Sequence, residues 1–151
     1  GGVASQTIRD VVHWEDAQRY RCRAMSVPFD PQQGLIVVPV ELWGPTGSVV
    51  LRLALDTGAT STVVNVALLL AVGYDPALIP DRIQITTGSG VEFVPRVNVN
   101  KLTALGQEQT AFPVLGHTLP PSAGVDGLLG LDFIRGQSLT LDFRTGRVTL
   151  V

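Results

Sequence analysis

Residues 49–61 read VVLRLALDTGATS, and they are the most informative part of the sequence. Its first part, residues 49–55, is an alternating apolar run typical of a buried strand. The strand ends at Asp56, and the small residues Thr57, Gly58 and Ala59 follow it. Such a carboxylate is either part of an ordinary turn, for which Gly58 supplies the special backbone angles, or a catalytic group. The tripeptide Asp56-Thr57-Gly58 occurs once in the chain.

The length and composition of the chain limit the possible functions. Its 151 residues suffice for one domain with a real core. With 45% hydrophobic and 16% charged residues it is more apolar than an average domain, which predicts that an oligomer covers part of its surface. A net charge of -2 argues against a nucleic-acid partner. The longest apolar stretch, residues 63–72, is too short to span a membrane.

Residues that commonly carry other chemistries are few. Cys22 is the only cysteine, so neither an intrachain disulfide nor a cysteine-based metal site is expected. His13 and His117 lack metal-ligand spacing and are interpreted as surface or core histidines. Ser61 and Ser89 lie in no nucleophile-elbow motif. We therefore predict no metal, no cofactor and no side-chain nucleophile.

From Gly34 onward, short apolar segments separated by Gly and Pro turns predict an all-β domain. The predicted strands are residues 35–43, 49–55, 83–86, 91–94, 97–105, 110–115, 139–143 and 147–151. A short helix is predicted over residues 65–71, with Ser61 or Thr62 as its cap and Gly73 as its stop. A brief helical turn is expected at residues 132–135.

Residues 1–33 are interpreted as an N-terminal extension of uncertain structure packed on the domain of residues 34–151. Two patterns occur in it: a helix-like face, Ile8, Val11 and Val12, and a strand-like alternation, Tyr20, Cys22 and Ala24. The solvated face of that strand would carry Arg19, Arg21 and Arg23. The start at Gly1-Gly2 indicates a processed piece or a cloning scar, and an upstream signal or anchor would be missing from it. The sequence does not indicate a compartment.

A second apolar segment punctuated by glycine follows about seventy residues after Asp56. It comprises Gly127, Leu128, Leu129, Gly130 and Leu131. Two acidic residues flank it, and we expect Asp126 to cap its turn and Asp132 to cap the short helix.

Together, residues 54–60 (ALDTGAT) and residues 127–134 (GLLGLDFI) resemble the signature segments of retropepsin-type aspartic proteases. The likeness is greater to cellular and bacterial members, such as the DNA-damage-inducible proteases, than to viral ones. It covers about residues 35–151 and does not explain residues 1–33. The resemblance implies a single-lobe, closed β-barrel with one or two short helices that dimerises through a twofold axis.

The resemblance also implies a mechanism. Asp56 from each of two subunits would hold one water and activate it to attack a peptide bond. Thr57 would hydrogen-bond across the dimer, and Gly58 would offer its N–H to the carboxylate. Ala59 replaces the serine of many pepsins, so one hydrogen bond to the carboxylate is missing, which is expected to raise the working pH. Leu128, Leu129 and Gly130 would pack on this turn, and no cofactor or metal is needed.

Thr87, Gly88, Ser89 and Gly90 fall where the family places its flap, a mobile hairpin that closes over substrate. An ordinary surface hairpin fits these residues equally well. They do not form a phosphate loop, because no Lys-Ser/Thr follows them. The expected substrate is a peptide or protein, bound as an added strand.

Two alternatives to a homodimeric endopeptidase remain open. One is a catalytically silent module of the same fold that dimerises and binds peptides. The other is a protease that acts mainly in the self-processing of a larger precursor.

Overall fold

The computed structural model describes residues 25–151. Several predictions fall outside the described residues: the helix-like face of Ile8, Val11 and Val12, the strand-like alternation of residues 19–24, and the interpretation of His13 and Cys22.

Ten strands and two short helices make up the described chain. The strands are β1 (Ser26–Pro28), β2 (Val37–Gly44), β3 (Gly47–Leu55), β4 (Val63–Asn65), β5 (Arg82–Thr87), β6 (Gly90–Ala104), β7 (Gln107–His117), β8 (Gly127–Leu129), β9 (Leu139–Asp142) and β10 (Arg147–Leu150). The helices are α1 (Val66–Ala71) and α2 (Leu131–Ile134), and single 3-10 turns span Pro76–Leu78 and Pro121–Ala123. Within residues 25–151, neither helix has the length and apolar character that a membrane crossing requires.

Six strands close into a barrel in the order β2-β3-β8-β4-β7-β6, because β6 pairs back onto β2. Strand β5 extends the sheet beyond this ring through its pairing with β6. The predicted all-β, closed-barrel fold with two short helices is therefore confirmed.

The barrel interior is filled by one face of each strand, as the period of two requires. In β2 the inward side chains are Val38, Val40 and Leu42, and in β3 they include Leu51 and Leu53. All five are at most 1% exposed. The hairpin between these strands closes with Gly44 opposite Gly47. This packing holds β3 firmly up to its last residue, directly before Asp56.

The two strands predicted at residues 91–94 and 97–105 are one long strand, β6, so the predicted break was wrong. Pro95 is tolerated where β6 changes partner, from β5 to β7, so its missing N–H does not interrupt a central ladder. Farther along, the buried residues change phase between Val99 and Leu102. Between them the Asn100 N–H donates to the Tyr74 hydroxyl at 2.8 Å instead of continuing the ladder.

The predicted cap of the first helix was also wrong. Asn65, and not Ser61 or Thr62, caps α1: its side-chain oxygen accepts a hydrogen bond from Ala67 N at 3.2 Å. The reason is that residues 63–65 form β4 before the helix begins. Gly73 follows the helix with φ of 99°, which suits its predicted role as a stop.

A separate three-stranded sheet has the order β1-β10-β9. The terminal hairpin of β9 and β10 was predicted, whereas the pairing of β1 with β10 was not. Phe29, just after β1, is buried in the core, and its backbone N–H donates to Gly146 O at 2.9 Å. The division of the chain at residues 33 and 34 stays a prediction.

Candidate active site

Asp56 lies directly after β3, on a turn whose backbone is held at both ends. Its N–H donates to Leu129 O at 3.0 Å, and its carbonyl accepts a hydrogen bond from Ala59 N at 3.2 Å. The Gly58 N–H donates to Asp56 Oδ1 at 2.9 Å. A Cβ at residue 58 would lie 3.1 Å from the same oxygen. Asp56 is half-buried while Thr57 and Gly58 are exposed, so the turn presents a fixed carboxylate at the surface of this chain.

Strand β8 runs between the strand that enters this turn and the strand that leaves it. It pairs parallel with β3, with Leu129 opposite Leu55, and antiparallel with β4, with Leu128 opposite Val63. The fold thus brings the predicted second segment, Leu128, Leu129 and Gly130, into direct contact with the Asp56 turn.

Gly130 allows the closest part of this contact. A Cβ there would lie 2.7 Å from Ser61 C and 2.9 Å from Ala59 O, and real Cβ atoms do not approach backbone so closely. The next residue, Leu131, donates its N–H to Ala59 O at 2.8 Å. Any side chain larger than hydrogen at residue 130 would push the second segment away from the turn that carries Asp56.

Thr62 and Asp132 fasten the two segments together, and sequence reasoning missed both. The Thr62 hydroxyl donates to Asp132 Oδ1 at 2.7 Å and accepts from Gly130 N at 3.1 Å, and Thr62 N donates to Asp132 Oδ2 at 2.9 Å. Asp132 was predicted to cap α2, but Gly130 occupies the cap position without a side-chain bond. The signal in the sequence was that a polar residue, Thr62, directly precedes the apolar residues of β4. In the structure Thr62 is fully buried.

Asp126 was predicted to cap its own turn, and this was also wrong. Its Oδ2 accepts a hydrogen bond from Arg52 N at 2.8 Å, and its backbone N–H donates to Arg52 O at 2.8 Å. Its carbonyl oxygen accepts a hydrogen bond from Asn65 N at 2.8 Å. Asp126 therefore attaches the start of β8 to both β3 and the end of β4, and its carboxylate is occupied in that role.

Thr87, Gly88, Ser89 and Gly90 form the tip of the β5–β6 hairpin. The Thr87 hydroxyl donates to Gly90 O at 3.2 Å and lies 3.2 Å from Ser89 Oγ. Gly90 has φ of 131°, a conformation that favours glycine. In residues 25–151, no hydrogen bond joins this tip to the Asp56 turn or to the Leu128–Gly130 segment.

The chemistry available at this site is that of a carboxylate. Across residues 25–151, no three His, Cys, Asp or Glu side chains gather as potential metal ligands. Of the donors in that part of the chain, Gly58 N–H alone lies within hydrogen-bonding distance of the Asp56 carboxylate. One Asp56 oxygen is thus oriented by the backbone, and the other is available to a water or a second carboxyl group.

Two comparisons identify similar proteins. A family model described as "gag-polyprotein putative aspartyl protease" matches residues 47–136, a span that contains both Asp56 and Gly130. The crystal structure of a retropepsin-like aspartic protease from Rickettsia conorii aligns with a TM-score of 0.63 and 13% sequence identity, over 83% of this chain and 87% of that one. At that identity the likeness shows the fold alone. No curated protein matches the sequence.

Proposed function

The chain belongs to the gag-polyprotein aspartyl protease family, and from this premise we propose that it is an aspartic endopeptidase that acts as a homodimer. The observation that carries the proposal is the carboxylate of Asp56, which accepts a hydrogen bond from Gly58 N–H at 2.9 Å. It lies on a turn that follows β3, and β3 is paired with β8. A retropepsin-like fold supports the same conclusion.

The need for two subunits follows from the chemistry. Peptide hydrolysis by carboxyl groups alone requires one group to accept a proton from water while another donates a proton to the substrate. The chain has a single Asp-Thr-Gly turn, so the second carboxyl group would be Asp56 of another copy. A half-site of this kind is an open surface, and two cavities among the described residues, of about 750 and 550 Å³, are lined by residues other than Asp56.

The proposed reaction proceeds through a water held between the two Asp56 carboxyl groups. Two carboxyl groups close enough to hold one water repel each other when both are ionised, so the pair shares one proton. The ionised group takes a proton from the water as its oxygen attacks the peptide carbonyl. The protonated group gives its proton to the carbonyl oxygen, which yields a gem-diol. The first group then passes the proton it took from water to the amide nitrogen, the C–N bond breaks, and the second group takes a proton from the diol, which leaves a carboxylic acid, an amine and a pair that again shares one proton.

The neighbours of Asp56 would position this pair. Thr57 is exposed beside Asp56, so its hydroxyl is available for a hydrogen bond across the dimer axis. Gly58 and Ala59 give the turn its shape by the backbone bonds described above. Leu128, Leu129 and Gly130 would hold the turn through the pairing of β8 with β3 and the close approach of Gly130 to Ala59 and Ser61.

The substrate would be an extended peptide that lies between the Asp56 turn and the β5–β6 hairpin. We assign the flap role to Thr87, Gly88, Ser89 and Gly90, of which Gly88, Ser89 and Gly90 are exposed. A hairpin that extends beyond the barrel ring can move without breaking the barrel's own ladders. An extended peptide would add main-chain hydrogen bonds to such a site, and apolar side chains would supply the specificity.

The test compares Asp56→Asn with Asp30→Asn on a mixed peptide library over a broad pH range. Asp30 is a matched control, because its Oδ1 accepts a hydrogen bond from the N–H two residues later at 2.9 Å, as Asp56 does. The proposal predicts cleavage by the wild type and by Asp30→Asn, and none by Asp56→Asn. Equal cleavage by all three proteins would contradict the assignment of Asp56, and an inert wild type that still binds peptides would favour the silent module.

A further inference from the structure

His117, the last residue of β7, contacts Glu92, which lies two residues after the tip of the β5–β6 hairpin. His117 Nε2 lies 2.7 Å from Glu92 Oε2, and the two side chains are 25% and 48% exposed. On the other side of the ring, His117 Nδ1 lies 2.8 Å from the carbonyl oxygen of Thr118. The sequence indicated no role for this histidine.

Both ring nitrogens of His117 therefore face acceptors. A carbonyl oxygen only accepts hydrogen bonds, and so does an ionised carboxylate. A neutral imidazole carries one N–H and can satisfy only one of the two. Both contacts are made when the pair holds an additional proton, as an imidazolium beside a carboxylate. Loss of that proton leaves one N–H for two acceptors, so the contact with Glu92 is either given up or reduced from a charge-assisted to a weaker neutral-donor hydrogen bond.

Among residues 25–151, the side chains that line the space beside this pair add no further charge. A cavity of about 280 Å³ beside the pair is lined by Val66, Val94, Pro95, Gly116 and Thr118, and among its described lining residues only Glu92 and His117 are ionisable. Opposite Glu92 on β5 stands Ile85, and opposite His117 on β4 stands Asn65.

Within the described residues, charged side chains of the neighbouring segments have partners of their own. At the base of the hairpin, Arg96 Nε binds Asp81 Oδ2 at 2.8 Å, and Arg82 donates to Pro76 O at 3.0 Å. On the loop before β8, Asp126 binds Arg52 N.

The contact is placed where it can control the hairpin. From Gly90 to Pro95, β6 pairs with β5, and its pairing with β7 begins at Arg96. The hairpin therefore projects from the barrel, with Val91 and Phe93 on its exposed face at 56% and 66% exposure. Glu92 lies on the opposite face, which turns toward the end of β7. A hydrogen bond there joins the projecting strand directly to the body.

We propose that His117 is a positioning residue that, through Glu92, holds the strand after the Thr87–Gly90 tip against the barrel while the pair is protonated and holds it less tightly when the proton is lost. The inference rests on the proposed function, since the position of the tip matters for catalysis only if it closes over a substrate.

Hydrogen exchange of residues 91–94 in the substrate-free protein tests this proposal without any need for cleavage. Protection factors, corrected for the intrinsic pH dependence of exchange, are measured at pH 5.5 and pH 8, a range across which histidine side chains change charge. The wild type is expected to lose about two- to five-fold protection at the higher pH, the range of a partly exposed ion pair.

Two variants distinguish the effect of the His117–Glu92 contact from the general stability of the hairpin. In Glu92→Gln the amide can donate to neutral imidazole or accept from imidazolium, so its protection is expected to be the same at both pH values. Asp81→Asn weakens the Arg96 contact at the hairpin base and leaves the His117–Glu92 contact in place, so protection is expected to fall equally at both pH values with the pH step retained. A wild type without the pH step, or a Glu92→Gln protein that keeps it, would overturn the proposal.

Activity then supplies an independent readout. If the wild type shows the pH step but cleaves no peptide, the proposed function fails, whereas the pH-dependent His117–Glu92 contact is supported. If it cleaves peptides, KM of the wild type is expected to rise toward pH 8 more steeply than KM of Glu92→Gln. Equal slopes would refute the link between this contact and substrate binding.

Discussion

Thr62 and Asp132, which are 70 positions apart, are joined by two hydrogen bonds of 2.7 and 2.9 Å. The Thr62 hydroxyl also accepts the N–H of Gly130, so one side chain links both segments that support Asp56. The position of the candidate catalytic turn therefore depends on a buried threonine that does not itself contact the carboxylate.

Thr62→Val tests this link because valine has nearly the same shape and no hydroxyl. It would leave Gly130 N–H and one Asp132 oxygen without partners in a buried place, at a cost of about 1–3 kcal/mol in the free energy of unfolding. Denaturant unfolding measures this change. Thr62→Ser keeps the hydroxyl and is expected to lose much less. Equal stability of the Val and Ser variants would show that the hydrogen bonds contribute little.

Gly130→Ala is expected to destabilise the protein by about 1–3 kcal/mol, because its Cβ would lie within 3 Å of backbone atoms of Ser61 and Ala59. The displacement would also shift the Asp56 turn and lower peptide cleavage more than the stability loss explains. Gly34→Ala is the control, since a Cβ there meets nothing within 4 Å. A Gly130→Ala protein as stable and active as the control would contradict the close packing.

Ala59→Ser is expected to move the acid limb of the pH–rate profile to lower pH. A hydroxyl that donates to the Asp56 carboxylate favours its ionised form, so the carboxylate that acts as the base stays ionised at lower pH. The measurement is kcat/KM for one peptide from pH 3 to pH 8. An unchanged acid limb would show that the hydroxyl does not reach the carboxylate. A wild-type profile that peaks as low as that of stomach-type pepsins would contradict the role assigned to Ala59.

Asp142 provides a prediction for stability against pH. Hydrogen bonds from the Thr145 backbone, and then from the Thr145 side chain and the Arg144 backbone, lower the pKa of its carboxyl below the ordinary value for aspartate. A lowered folded-state pKa means that the stabilisation is present above the unfolded-state pKa and is lost as pH falls through the folded-state pKa. Asp142→Asn is therefore expected to be less stable than the wild type at pH 7 and nearly equal to it near pH 2. A difference that persists unchanged at pH 2 would contradict this cause.

Local signals allowed much of the site to be predicted. The apolar alternation before Asp56, the small residues after it and the glycine-flanked segment at Leu128–Gly130 each reflect requirements of nearby backbone. For the same reason the β2–β3 and β9–β10 hairpins were predictable from their turn residues.

The rest depends on contacts between distant residues. Asp132 resembles a helix cap in sequence, yet its partner Thr62 comes from a loop far away in the chain. Pro95 looks like a strand breaker, and only the change of partner from β5 to β7 makes it acceptable. The pairing of β1 with β10 joins opposite ends of the described chain, and three residues of β1 carry too little pattern to predict it.

Mixing subunits tests whether two Asp56 side chains share one active site. Wild-type protein at constant concentration is equilibrated with increasing amounts of Asp56→Asn protein, and cleavage of a peptide is measured. With random pairing in a symmetric dimer, an equal amount of the variant should reduce the activity per wild-type chain to about half, and an excess should abolish it. Activity per wild-type chain that is independent of the added variant would show that one Asp56 suffices, and would contradict the account.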